Sequence, residues 1–209
     1  MTLHDISVVT SSTTPEWPGD TPFSCGWTSR IADGSSVNLT AVTSSPHVGT
    51  HADAPLHVKD GGAGAERLPL DAFIGPALVV AVEGVPRDVG LELIDRVPEG
   101  TVRLLLRTGS SIASGVFPTD WPAVSAELAM ALVNRGVRLL GVDAPSVDRR
   151  DSRTLAVHHT LFDAGACVLE NLDLHAVSEG RYELAAAPVC WAGVDAAPVR
   201  AVLASEPAR

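Results

Sequence analysis

Cysteine is scarce in this chain of 209 residues. Cys25, Cys167 and Cys190 are too few and too scattered for a disulfide framework, and no Cys-x-x-Cys pair occurs. Basic charge is short as well: 15 Lys and Arg stand against 25 Asp and Glu, a formal net charge of −10. That balance argues against a phosphate-backbone partner or an anionic membrane surface. No apolar run approaches the ~18 residues of a membrane span. The opening MTLHDISVV lacks the basic start, apolar centre and small-residue cleavage site of a secretory signal. Neither GxGxxG nor GxxxxGKS/T is present, so a nucleotide cofactor has no support. A GxSxG nucleophile elbow is missing too, although Thr108-Gly-Ser-Ser superficially invites one. Internal repeats, low-complexity tracts and long linkers are absent. The expectation is one cytoplasmic domain spanning residues 1–209, and 45% apolar residues suffice for an ordinary core.

What is there reads as strands alternating with short helices. Prolines 15, 18 and 22 forbid a helix interior between Asp5 and Phe23, leaving an extended strand and a turn-rich loop. The β-branched Val37–Thr43 stretch suits a strand with one solvated face. The runs Ala77–Val82, Val102–Leu106 and Val137–Asp143 are continuously apolar or nearly so, as in strands buried on both faces. Between the last two, Ser125–Arg135 carries apolar residues at 128, 129, 132 and 133 and stops at Gly136, the pattern of an amphipathic helix. Shorter helices are predicted over Leu91–Arg96 and Leu155–Ala164, then a strand over Ala166–Glu170. The class implied is mixed α/β.

The densest chemistry lies in eleven residues. His47, His51, Asp53 and His57 are separated by four, two and four positions, and histidine is the commonest ligand for transition metals. A fully extended backbone would hold His47 and His51 about 13 Å apart, too far to share an ion whose ligand bonds are about 2 Å. A regular helix would bring them to one face, but Pro46, Gly49 and Pro55 resist it. A single helical turn or curled loop after the Val37–Thr43 strand satisfies both constraints, with Asp53 supplying a hard oxygen able to bridge to a second ion. A hundred residues on, His158 or His159 with Glu170 could complete a two-metal site. Set against this is a scatter of unrelated surface histidines, which is how His4 and His175 read. Asp143 reads as a loop cap, and the three cysteines as packing residues.

The segment His47-Val-Gly-Thr-His-Ala-Asp-Ala-Pro-Leu-His resembles the HxGTHxDAPxH signature of the metal-dependent cyclase superfamily. Further resemblance lies in His4-Asp-Ile-Ser, Gly141-Val-Asp-Ala-Pro-Ser-Val-Asp, His158-His-Thr-Leu and Leu169-Glu-Asn-Leu. Trp17-Pro-Gly-Asp-Thr-Pro-Phe narrows it to the bacterial kynurenine formamidase (arylformamidase) branch. The resemblance implies a swivelling β/β/α sandwich, usually a homodimer, with two zinc ions, or manganese in some relatives. It implies His47, His51 and Asp53 as ligands of one ion and Asp53, His158 and Glu170 as ligands of the second, with Glu170 shared. His57 would be the catalytic acid/base, and Trp17 would line the pocket for N-formyl-L-kynurenine. The competing expectations are another small-amide or cyclic-amide hydrolase, such as one acting on isatin, and a metal-binding protein without catalysis.

Overall fold

The computed structural model describes residues 1–82, 84 and 88–205. In chain order the strands are β1 (Thr2–Asp5), β2 (Ser24–Ser29), β3 (Leu39–Thr43), β4 (His51–Asp53), β5 (Ile74–Ala81), β6 (Asp88–Val89), β7 (Arg103–Arg107), β8 (Ala123–Val124), β9 (Leu139–Val142), β10 (Cys167–Glu170), β11 (Gly180–Ala185), β12 (Ala196–Pro198) and β13 (Val202–Ser205). The α-helices are α1 (Ala126–Asn134) and α2 (Ala156–Asp163). Nine strands form one mixed sheet in the order β1-β13-β11-β5-β7-β9-β10-β4-β12. Its centre, β5-β7-β9-β10, is parallel, with α1 crossing from β7 to β9 and α2 from β9 to β10.

The three apolar runs form β5, β7 and β9, and the side chains of the four central strands alternate between two cores as a two-residue period requires. Val80, Leu104, Leu106, Leu140, Val142 and Val168 face the helices, packing with Leu128, Leu132, Val157 and Leu161. Val79, Leu105, Leu139 and Leu169 face the opposite way, towards Ile6, Phe73, Leu172 and Leu203. Gly141 sits where β9 and its neighbours approach closely; a Cβ there would lie 2.5 Å from a methyl of Leu105.

Helix α1 starts where Ser125 Oγ accepts the Leu128 N–H at 3.1 Å, and the chain turns out of it at Gly136, whose φ is +102°. Leu91–Arg96 is a 3-10 helix rather than an α-helix, bounded by the extended Gly90 and by Pro98. The strand expected to have one solvated face differs more. Among the described residues β3 pairs only with β2, and nearly every residue of this hairpin is exposed on both faces, Trp27, Leu39 and Val42 included. Cys25, on the hairpin, is therefore exposed, as is Cys190; of the three cysteines expected to pack, only Cys167 is buried. Its burial pushes the thiol up to about 12.

Candidate metal centre and active site

The site is assembled by the register of β4. His51 and Asp53 lie two apart, so both project to one face while Ala52 enters the core on the other. Glu170 of β10 pairs directly opposite His51, which sets its carboxylate beside them. Upstream, residues 46–50 curl into a turn through Gly49, whose φ of +78° only glycine adopts cheaply, and the turn brings His47 back over His51. Their ring centroids are 4.9 Å apart. Asn171, itself at φ +55°, donates from Nδ2 to the Gly49 carbonyl at 3.2 Å and secures the turn. His158 comes from the buried face of α2.

Two groups of donor atoms result. His47 Nδ1 and His51 Nε2 stand 3.1 and 3.2 Å from Asp53 Oδ1, and 3.2 Å from one another. On the other side, His158 Nε2 is 3.1 Å from Asp53 Oδ2 and 3.3 Å from Glu170 Oε1. Glu170 Oε2 turns back to within 3.7 Å of His51, so Asp53 and Glu170 each present one oxygen to either group. All except His47 are almost fully buried.

Each of the three histidines hands its outer nitrogen to an acceptor. His51 Nδ1 meets the Gly49 carbonyl at 2.9 Å, His47 Nε2 meets Asp195 Oδ2 at 2.9 Å, and His158 Nδ1 meets Asp148 Oδ2 at 2.7 Å. With protons on the outer nitrogens, the inner nitrogens are lone pairs. Asp53 Oδ1 is buried without a hydrogen bond, between two of them. Lone pairs converging in a dry site require a cation, and separations of 3.1 to 3.3 Å suit donors about 2.0–2.2 Å from a shared tetrahedral ion. The donor set therefore fits one divalent ion in each group, and the outer acceptors are the partners that ligating histidines ordinarily have.

In the metal-free chain protons take the cations' place. Burial opposes charge on His47, but hydrogen bonds with Asp195 and Asp53 outweigh it and raise the imidazole to about 10. His158 is likewise raised, its buried position overcome by Asp148, Asp53 and Glu170. Asp53 is held well below the carboxylate range: desolvation works against it, and His51, His158 and His47 prevail.

The centre opens onto a cavity of about 350 Å³, bounded by Pro15, Trp17, Phe117, Pro145 and Leu155. Trp17 is 39% exposed and packs edge-to-face on Phe117 and Trp121, at centroid distances of 5.5 and 5.8 Å. His57, on the 3-10 turn after β4, also lines this cavity, with its Nδ1 3.1 Å from Asp195 Oδ2. A larger depression of about 690 Å³ beside β5 and β11 contains no histidine or cysteine.

The structure thus brings His47, His51, His57, His158, Glu170 and Trp17 around one cavity, with Asp53 buried against His47, His51 and His158. His159 is outside it; Asp143 is a buried loop cap accepting from the Thr108 and Gly109 N–H groups. His4 rests against Tyr182, and His175 pairs with Asp173. Sequence reasoning assigned no role to Asp148, Asn171 or Asp195. Asp148 could have been sought near His158, ten residues on, whereas nothing in the local sequence marks Asp195, which reaches His57 across 138 residues.

A mixed α/β fold with a buried histidine–carboxylate centre at the foot of a cavity defines a hydrolase of the cyclase type, and known proteins agree. The Cyclase family model matches residues 4–149. A solved structure described as a potential metal-dependent hydrolase with cyclase activity superposes with a TM-score of 0.84 at 29% identity, covering 99% of both chains. Isatin hydrolase A from Labrenzia aggregata shares the fold, with a TM-score of 0.83 at 23% identity over 98% of this chain and 94% of that one. The kynurenine formamidase of Salinibacter ruber is 47% identical over 99% of both chains, and that of Bordetella avium 41% identical over 96% of this chain and 97% of its own. The chain belongs to the kynurenine formamidase (arylformamidase) family of hydrolases, within the Cyclase family.

Proposed function

We propose that the chain hydrolyses N-formyl-L-kynurenine to L-kynurenine and formate, using two divalent ions, zinc or in its place manganese. The observation that carries the metal reading is the buried Asp53 Oδ1 facing two imidazole lone pairs. His47, His51 and Asp53 would hold one ion, and Asp53, His158 and Glu170 the other, with Glu170 also within reach of the first. Bound there, the ions would supply Lewis acidity toward water and the formyl carbonyl.

The chain's own groups do the rest. His57 accepts the attacking water's proton at Nε2, the nitrogen that Asp195 does not engage, and returns it to the aniline nitrogen as the formyl C–N bond breaks. The water oxygen stays on the formyl carbon and leaves as a formate oxygen. Trp17 and Phe117 offer aromatic faces to the aminophenyl ring. The cavity's 350 Å³ lies in the range of small-molecule sites.

We infer a homodimer as the working form, in the cytoplasm. An isolated two-stranded hairpin is marginal in water, and β2–β3 exposes Trp27, Ile31, Leu39 and Val42. A second copy covering that surface accounts for both features.

The test is kynurenine release from N-formyl-L-kynurenine by zinc-loaded, manganese-loaded and chelated protein, with isatin and a cyclic imide in parallel. Metal-dependent kynurenine formation is expected. Turnover of isatin or the imide alone would reassign the substrate, and full activity after chelation would remove the ions from the reaction.

A further inference from the structure

We propose that Asp195 is a positioning residue that sets the tautomers of two site histidines through one oxygen. Its Oδ2 accepts from His47 Nε2–H at 2.9 Å and from His57 Nδ1–H at 3.1 Å. The first contact leaves His47 Nδ1 as the lone pair that faces His51 and Asp53. The second leaves His57 Nε2 as the lone pair available to substrate.

The fold places this carboxylate deliberately. Asp195 immediately precedes β12, whose Ala196 pairs with Asp53 of β4, and its carbonyl accepts the Ala54 N–H at 2.8 Å. The turn carrying His57 begins at the next residue, Pro55. Backbone pairing therefore fixes Asp195 against both the ligand strand and the His57 turn. The His47 and His57 rings lie 4.4 Å apart by centroid, close enough for one oxygen to serve both. Neutral imidazole carries its proton on either nitrogen, and only the Nδ1–H form of His57 can take a proton at Nε2. Replacing Asp195 by alanine removes the acceptor from both rings, so nothing holds the His57 proton on Nδ1 and the Nε2–H form, which is no base at Nε2, becomes populated.

This assignment rests on the reading of His57 as acid/base, but its first test needs no turnover. In the zinc-loaded protein labelled with ¹⁵N-histidine, long-range ¹H–¹⁵N correlations report which ring nitrogen carries the proton. His57 is expected as Nδ1–H and His47 as Nε2–H; an Nε2–H His57 in the unmutated protein overturns the proposal. In Asp195→Ala, His57 is expected to populate the Nε2–H form, kcat to fall about 10–100-fold, and zinc affinity to weaken by about tenfold. KM is expected to move by less than about threefold, with partial recovery of kcat in Asp195→Glu, which restores an acceptor. A folded Asp195→Ala protein with the original tautomers and kcat within about twofold of the unmutated value would also overturn it. If the tautomers stand as assigned while N-formyl-L-kynurenine is not turned over, the substrate reading fails and the role of Asp195 survives.

Discussion

Asp53 and His57 are four residues apart, yet their environments separate holding metal from moving a proton. Asp53 is fully enclosed, and both its oxygens point at histidine nitrogens. The His57 side chain is 31% exposed, faces the cavity, and lies outside both buried donor groups. Asp53→Ala removes the two oxygens proposed to bridge the ions and leaves His47, His51 and His158 without their central counter-charge. Its expected outcome is loss of metal and activity together, and retention of two ions per chain in metal analysis would refute the bridge. His57→Ala should instead keep its metal content near that of the unmutated protein while kcat drops about 10²–10⁴-fold, the usual contribution of a general acid/base. Metal analysis and steady-state kinetics on the same sample separate the two effects. Substantial turnover in the alanine variant would take His57 out of the reaction.

At the scale of elements, what could be read in advance followed from how many faces a segment buries. β7, β9 and the second half of β5 bury most of both faces, so their sequences are nearly continuous apolar runs; α1 buries one, so its letters recur every three or four positions. The metal turn was legible because Pro46 and Gly49 limit the backbone while four chemical groups crowd eleven positions. Asp148 and Asp195 were not, because single carboxylates acquire meaning only when the register of β4 with β12, or the first turn of α2, brings them to a histidine. The β2–β3 hairpin misled for the opposite reason. Its partly alternating pattern implies one covered face, and no described residue of the same chain covers it. If a second copy does, Trp27→Asp with Leu39→Asp should shift the protein from dimer to monomer in sedimentation velocity, with the fold retained by circular dichroism. A monomeric unmutated protein would dispose of the dimer. A simpler element is α1: Ser125→Ala removes the acceptor for Leu128 N–H and should cost about 1 kcal/mol in urea unfolding.

For the molecule as a whole, the consequence is that ionisable groups are buried on β4 and β10, towards one end of the sheet, where protons and a bound cation would compete. In the metal-free chain His47 has a folded-state value of about 10 against 6.5 when unfolded. A raised value means that its contribution to stability is fully present below pH 6.5 and is lost as pH climbs through about 10. Asp148 and Asp195 act in the other sense. Their lowered values contribute stability above pH 3.8 that fades as acid protonates them. The chelated protein should therefore be most stable between about pH 4 and 6.5 and weaken on the alkaline side. A bound divalent ion reverses that alkaline trend, since it needs the neutral imidazoles that rising pH supplies and displaces protons from His47 and His158. At an ion concentration about 1,000 times Kd the stabilisation is about 4 kcal/mol, which for a chain of this size is roughly 10 °C in Tm. The Tm gap between zinc-loaded and chelated protein should accordingly widen as pH is raised from 6.5 towards 10 in scanning calorimetry. Zinc binding titrated in buffers of different ionisation enthalpy should release protons, fewer of them at higher pH. A gap that narrows with rising pH, or binding that releases none, would mean that the buried histidines are not the ligands.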